Sequence, residues 1–189
     1  MVRSFIAVDI PEEVKKELAL LINFFQKAEA DIRWAKTENL HLTLKFLGEQ
    51  TDQQIEKIKQ SLEEIAVVQK SFQIRLSKLG GFPAIDHPRV LWVGVEQEGG
   101  DLLVDLVEKI EFAMITLGFE QEEKSFSPHL TLGRIKSGKN LQKLVKIVKE
   151  TLFSSAYSVA VNQLILYKSI LGREGSVYQP LKKAGLSGT

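Results

Sequence analysis

The sequence predicts an α+β protein with two pseudo-symmetric lobes, each a mainly antiparallel sheet with outer helices, arranged around a central cleft. Two observations predict this architecture. The tetrapeptide His-Leu-Thr-Leu occurs twice, beginning at His41 and at His129, with an offset of 129 − 41 = 88 residues. The segments that flank the two copies also follow the same order: strand, helix, His-Leu-Thr-Leu strand, helix, strand. A repeated order of elements indicates an internal duplication whose halves bury their apolar faces together.

The first half begins with a β-branched and aromatic run over residues 4–8, which is typical of a strand. Pro11 then occupies a first-turn position, and the apolar residues after it recur at helical spacing. Thr51 and Asp52 can cap a second helix, which is followed by an alternating strand over 72–76. The apolar faces of these two helices are Val14, Leu18, Leu21, Ile22 and Phe25 in the first, and Ile55, Ile58, Leu62 and Ile65 in the second.

The second half repeats this pattern. A strand is predicted over 90–95, and a helix over 102–117 that Gly118 terminates. Asn140 is the predicted cap of the next helix, and an alternating strand over 160–166 follows. The predicted core-facing residues are Leu103, Leu106, Val107, Ile110 and Met114 in the first helix, and Leu141, Leu144, Val145 and Val148 in the second.

These elements predict a single bilobal domain over residues 1–189, because no Gly-, Ser- or Pro-rich linker divides the chain. The repeat halves span about 1–79 and 90–166, and 80–89 is the predicted crossover between them. The C-terminal segment, 167–189, is expected to return to the body of the domain.

Composition restricts the class of protein. Apolar residues make up 44% of the 189 residues and charged residues 26%, as in ordinary globular proteins. The chain has no cysteine, so disulfides and thiolate metal sites are excluded. The net charge of +1 predicts that any RNA contact is local, such as the end of a strand. Without a bilayer-length apolar run or a signal cleavage site, we expect a cytoplasmic protein with no membrane partner.

The two tetrapeptides place functional groups in pairs. Residues i and i+2 of a strand point to the same face, so His41 shares a face with Thr43, and His129 with Thr131. The opposite face carries the leucines, which are predicted to lie in the core: Leu42, Leu44, Leu130 and Leu132.

Two imidazoles that flank a phosphate form an acid–base pair, since the ordinary pKa of histidine, ~6.5, lies near working pH. Threonine hydroxyls can donate hydrogen bonds to phosphate oxygens. A guanidinium would stabilise the developing charge, and Arg134 is the candidate. Strict alternation places Arg134 on the other face, so it requires a strand end or a bend, which Gly133 permits.

Other chemistries fit less well. A metal site would need more ligands than two histidines and no cysteine provide, so neither a metal nor a cofactor is expected. A Ser–His–Asp triad would leave the second motif unexplained. His87 lies in a Pro-rich turn and is interpreted as a loop residue. Five lysines recur at helical spacing and are expected to form a solvated helix face. The alternative is that they bind the backbone of the upstream RNA. They are Lys136, Lys139, Lys143, Lys146 and Lys149.

The paired motifs resemble those of the 2H phosphoesterase superfamily, and most closely the RNA 2′,3′-cyclic phosphodiesterases, historically called 2′-5′ RNA ligases. The resemblance covers nearly the whole chain. The segments that carry it are RSFIAVDIP from Arg3, RW at 33–34, ENLHLTLKFLG ending at Gly48, PRVLWVGV from Pro88, SPHLTLGRIK from Ser127 and LYKSILGREGSVYQPL from Leu166. Thr37 departs from the family, which often has proline there.

The resemblance implies a metal-independent hydrolase that opens a 2′,3′-cyclic phosphate to a 2′-phosphate, with His41 as proton donor and His129 as proton acceptor. It implies that Thr43 and Thr131 bind the phosphate. It also implies that Phe46 and Arg134 contact the terminal base, although Phe46 is equally compatible with the core.

Three alternatives stay open at this point. The same site could join the cyclic end to a 5′-hydroxyl, forming a 2′-5′ bond. The fold could bind an RNA end or nucleotide without turnover. The substrate could be a small cyclic nucleotide or a 2′-5′ oligoadenylate rather than an RNA end. In each case we expect a monomer.

Overall fold

The computed structural model describes residues 1–172 and 175–188, so Arg173 and Glu174 of the predicted C-terminal segment, together with Thr189, lie outside it. The described residues form nine strands and four helices. The strands are β1 (Val2–Asp9), β2 (Ile32–Trp34), β3 (His41–Gln50), β4 (Phe72–Phe82), β5 (Val90–Val95), β6 (His129–Ile135), β7 (Ser154–Val161), β8 (Gln163–Gly172) and β9 (Gly175–Gly185). The helices are α1 (Glu12–Gln26), α2 (Asp52–Val68), α3 (Gln97–Thr116) and α4 (Leu141–Glu150).

The strands form two sheets, and all pairings between these strands are antiparallel. The first sheet has the order β3-β1-β8-β9 and the second the order β2-β6-β5-β4-β7. Each therefore contains the same arrangement of three strands, β3-β1-β8 in one and β6-β5-β4 in the other. The predicted fold class, α+β with two pseudo-symmetric lobes, is confirmed.

The last strand of each sequence half lies in the sheet of the other half. The first-half strand β4 pairs with β5, and the second-half strand β8 pairs with β1. The two halves are thus interlocked through exchanged strands, and each sheet draws on both halves of the chain. The C-terminal segment returns as β9, which pairs with β8 along its length.

The helices bury the predicted apolar faces. The predicted core positions of α1, α2 and α3 are all buried, as are Leu144 and Val148 of α4, whereas Leu141 and Val145 are partly buried. Thr51 forms a capping box with Gln54 at the start of α2, as its position predicts. Across residues 1–172 and 175–188, no helix has the length and apolarity needed to span a bilayer.

Four sequence predictions are corrected in detail. Helix α3 begins at Gln97 rather than Leu102, and β4 continues through Phe82, which shortens the crossover. The predicted strand over 160–166 is two strands that meet at Asn162 and belong to different sheets. Asn140 is the N-cap residue of α4, as predicted, but it makes no side-chain cap bond: its backbone is left-handed, with φ 53°, and its amide donates to the carbonyl of Glu29 instead.

Candidate active site

The two His-Leu-Thr-Leu segments lie on β3 and β6, which contact each other although they belong to different sheets. As predicted, the four leucines are buried in the core, at Leu42, Leu44, Leu130 and Leu132. The histidines and threonines of both segments are partly exposed on the opposite face. We call the faces that carry His41, Thr43, His129 and Thr131 the site faces.

Both histidines are held in the same way. Nδ1 of His41 bonds the carbonyl oxygen of Asn39 at 2.7 Å, and Nδ1 of His129 bonds that of Ser127 at 2.8 Å. A carbonyl can only accept, so Nδ1 carries the proton in each ring. In the neutral ring Nε2 then has the free lone pair, and in the charged ring Nε2 carries the transferable proton.

His41 lies among aromatic side chains. Its ring centroid is 4.8 Å from that of Phe5 and 5.0 Å from that of Tyr178, which meets it edge-on. Burial is the main cause that lowers the pKa of His41 below its ordinary value. The Asn39 carbonyl and the charge of Asp9 oppose this lowering.

His129 has an equivalent but less enclosed environment. The ring of Phe82 meets it edge-on at 4.8 Å between centroids, and Trp92 lies 6.4 Å away. Burial again is the main cause that lowers its pKa, and the bond to the Ser127 carbonyl partly offsets it. The positive charge of Arg134 lowers the pKa of His129 further.

A β-bulge brings Phe46 to the site face. The register of β3 against β1 shifts between Thr43 and Lys45, so that Leu44 and Lys45 are both buried in succession. Phe46 consequently points to the same side as the histidine, 64% exposed, with its ring 6.1 Å from that of Phe5. The alternative that Phe46 is a core residue is therefore wrong.

A second bulge does the same for Arg134. The register of β6 against β5 shifts between Leu91 and Trp92, and Leu132 and Gly133 are both buried. Arg134 is exposed on the face of His129. Phe46 and Arg134 each lie five residues after a histidine, so the duplicated strands carry equivalent bulges and present equivalent positions.

Sequence reasoning missed the residues that surround His41. The side-chain amide of Asn39 donates to the carbonyl of Ser176 at 2.7 Å, which joins the segment before β3 to the C-terminal hairpin. That hairpin brings Tyr178 and Tyr167 to the ring, and burial together with Asp9 raises the pKa of Tyr167 to about 12. These contacts span more than a hundred residues, so no local pattern could indicate them.

Other features lie apart from this site. His87 is exposed in the loop between β4 and β5, as predicted. Helix α4, with its exposed lysines, packs against α1 and β4 on the leucine side of the sheet. A groove of about 580 Å³ between α2 and α3 includes no residue of either motif. Among residues 1–172 and 175–188, no three His, Asp or Glu side chains converge in a metal-binding group.

Comparison with known proteins agrees with the duplicated architecture. The model of the LigT-like phosphoesterase family matches the chain twice, over residues 8–92 and 93–178. An RNA 2′,3′-cyclic phosphodiesterase of Aeropyrum pernix is 38% identical over 90% of this chain and 97% of its own. One of Thermotoga maritima is 36% identical over 98% of this chain and 96% of its own.

Solved structures match over almost the entire length. Escherichia coli LigT complexed with 3′-AMP superposes with a TM-score of 0.78 at 27% identity, over 98% of each chain. TT0787 of Thermus thermophilus superposes with a TM-score of 0.81 at 27% identity, again over 98% of each chain.

Proposed function

Because the chain belongs to the LigT-like phosphoesterase family, we propose that it is an RNA 2′,3′-cyclic phosphodiesterase that hydrolyses cyclic RNA ends to 2′-phosphates. The observation that carries the proposal is the matched anchoring of the two histidines. Each presents Nε2 on the site face of a rigid strand while its Nδ1 is bonded to a backbone carbonyl. A pair of histidines held alike, next to paired threonine hydroxyls, suits a substrate that needs one proton removed and one supplied.

The reaction assigns one proton transfer to each ring. Neutral His129 removes a proton from water through Nε2 as the water oxygen attacks phosphorus. Protonated His41 donates its Nε2 proton to the 3′-oxygen as the bond from phosphorus to that oxygen breaks. The products are a 2′-phosphate and a 3′-hydroxyl, and the two rings end with their protonation states exchanged.

The remaining site residues bind the substrate in this proposal. Thr43 and Thr131 donate hydrogen bonds to the non-bridging phosphate oxygens. Arg134 stabilises negative charge and, with Phe46, contacts the terminal base, since an exposed ring and a guanidinium both stack on a base face. No metal or cofactor takes part in these steps.

A single chain suffices for this site, because one chain supplies both motifs. We therefore include a monomer in the proposal. Support for the substrate class comes from relatives named RNA 2′,3′-cyclic phosphodiesterase and from the LigT structures with 3′-AMP, NADP⁺ and ATP.

The test is mass analysis of an oligoribonucleotide that ends in a 2′,3′-cyclic phosphate, incubated with the protein in excess chelator. The expected product has gained one water and carries a 2′-phosphate. His41→Ala and His129→Ala should each lower the rate about 10²- to 10⁴-fold, while His87→Ala, in an exposed loop, should retain it. Loss of turnover on adding chelator, a 3′-phosphate product, or activity that survives either site variant would contradict the proposal.

A further inference from the structure

A second arginine lies directly beside Arg134. In the pairing of β2 with β6, Arg33 is opposite Arg134, Ile32 is opposite Ile135, and Trp34 is opposite Gly133. Residues that are opposite each other in an antiparallel pair project to the same face, with Cβ atoms about 5 Å apart. The two guanidinium groups therefore start from neighbouring positions on one side of the sheet.

The neighbours of Arg33 identify which side that is. Trp34 stacks on the buried ring of Phe25, with centroids 6.5 Å apart, and Ile32 packs against Gly133. These residues face the core, so alternation places Arg33 on the opposite face. Both arginines are exposed, and that face is the site face of the second sheet.

This arrangement has an electrostatic cost that the folded chain alone does not offset. Like charges directly opposite each other on two strands destabilise a sheet. Within the described residues, neither guanidinium has a carboxylate oxygen within 4.0 Å. The same pair becomes favourable once an anion lies between or above the two groups, because guanidinium groups bind phosphate oxygens through parallel hydrogen bonds.

The position of Arg33 indicates which anion this is. Arg134 lies three residues along β6 from Thr131, roughly 10 Å at the usual rise per residue, and Arg33 is one strand further out, on the edge strand β2. A substrate whose cyclic phosphate lies at the threonines and whose terminal base reaches Arg134 would direct its next backbone unit toward Arg33. That unit begins with the phosphodiester on the 5′ side of the terminal nucleotide.

We propose that Arg33 binds this upstream phosphodiester, so that the protein prefers the cyclic end of an oligonucleotide to a nucleoside 2′,3′-cyclic phosphate. The inference rests on the proposed function and specifies its substrate class. It assigns Arg33 to substrate binding outside the reacting centre. The contribution of Arg33 to kcat/KM should therefore depend on the charge of the upstream phosphodiester. It should be independent of the chemistry at the cyclic phosphate.

The experiment compares three substrates with wild type and Arg33→Gln. The first is the dinucleotide ApA ending in a 2′,3′-cyclic phosphate, which has one upstream phosphodiester. The second is the same dinucleotide with that linkage replaced by an uncharged methylphosphonate, and the third is adenosine 2′,3′-cyclic phosphate. The R33Q change should lower kcat/KM about 10- to 50-fold for the first substrate and leave it within about twofold for the other two.

Salt dependence and a matched variant complete the test. With the charged dinucleotide, the slope of log affinity against log salt should fall by about 0.7 in the variant, as expected for one lost phosphate contact on a single strand. Lys146→Gln removes one exposed positive charge from α4 and should change none of these values. R33Q should unfold at no lower temperature than wild type, because it removes a like-charge neighbour.

Two results would overturn the inference, and they are distinguishable. If wild type opens all three substrates and R33Q lowers kcat/KM equally for all of them, or lowers it for none, the assignment of Arg33 is wrong while the proposed function stands. If wild type opens none of the three, the proposed function is wrong and the assignment falls with it.

Discussion

Asn39 positions His41 from two sides. Its backbone carbonyl accepts the Nδ1 hydrogen bond of His41 at 2.7 Å, while its side-chain amide donates to the carbonyl of Ser176 at 2.7 Å. Two residues beyond Ser176, Tyr178 packs edge-on against the same imidazole. One residue thus connects the ring, the segment before β3 and the hairpin that encloses the ring.

Replacing Asn39 with alanine tests this connection. Asn39→Ala keeps the carbonyl but removes the bond to Ser176, so the hairpin that carries Tyr178 should loosen around His41. We expect a loss of about 1 kcal/mol in the free energy of unfolding in urea and a fall in kcat with little change in KM. Asn140→Ala, which removes a comparable amide bond to the Glu29 carbonyl, should lower stability without lowering kcat. Equal kcat values for the two variants would contradict a positioning role for Asn39.

The sequence predicted the parts of the site that depend on local alternation, and not the parts that depend on strand register. A period of two was enough to place each histidine beside its threonine and the leucines opposite. The exposure of Phe46 could not be predicted in this way, because the bulge before it is defined by how β3 pairs with β1. The bend predicted near Gly133 is a bulge against β5. The exchange of β4 and β8 between the two sheets could not be predicted either. The two halves have similar sequence patterns, so the sequence does not indicate which sheet each strand joins.

The pH dependence of hydrolysis follows from the two lowered pKa values. A cyclic phosphodiester does not ionise near neutrality, so kcat/KM against pH reports the histidines of the free protein. Burial lowers the pKa of both His41 and His129 below 6.5. The curve should be bell-shaped with its maximum below pH 6.5, because the maximum lies between the two values. Measurement from about pH 4.5 to 8.5 tests this, and a maximum at pH 7 or above would show that at least one pKa is not lowered.

Burial of His41 should also make stability depend on pH. Its pKa is lower in the folded chain than the ordinary 6.5, so the unfolded chain takes up the proton first as the pH falls. The stabilisation from the neutral ring is therefore fully present above about pH 6.5 and is lost as the pH falls through the folded-state pKa. His41→Asn retains a donor toward the Asn39 carbonyl but does not titrate.

Urea unfolding at several pH values measures this effect. Between about pH 7.5 and 5 the wild type should lose stability relative to His41→Asn, by at most about 1.4 kcal/mol per pH unit. The control, His87→Asn, alters an exposed loop residue and should follow the wild type. Parallel curves for wild type and His41→Asn would contradict the lowered pKa.

A buried ion pair connects the first histidine strand to the second lobe. Nζ of Lys45, with a side chain only 3% exposed, donates to Glu111 of α3 at 2.6 Å. The other oxygen of Glu111 accepts from the backbone N–H of Glu122 at 2.8 Å, in the segment that leads to β6. Lys45→Met should therefore lower the free energy of unfolding by about 3 kcal/mol, since it leaves the Glu111 carboxylate without the cation that neutralises it.

The double variant Lys45→Met/Glu111→Met distinguishes a buried ionic pair from simple packing. Removing both charges leaves no unpaired ion, so the double variant should be more stable than Lys45→Met alone. If the loss in the free energy of unfolding of the double variant equals the sum of the losses of Lys45→Met and Glu111→Met, the two residues act independently.

The indole of Trp92 packs directly on the backbone of Gly80, where any side chain would overlap it. A Cβ on Gly80 would overlap Cζ2 and Cη2 of Trp92, so Gly80→Ala must displace this ring, which lies beside His129. Overpacking of this kind typically costs about 1–3 kcal/mol. We expect lower stability, reduced kcat and a shifted tryptophan emission. The shift should come mainly from Trp92, because the other tryptophan, Trp34, is stacked on Phe25. Gly138→Ala is the matched control, because a Cβ there meets no atom within 4 Å. An unchanged emission and kcat in Gly80→Ala would mean that Trp92 does not help to define the environment of His129.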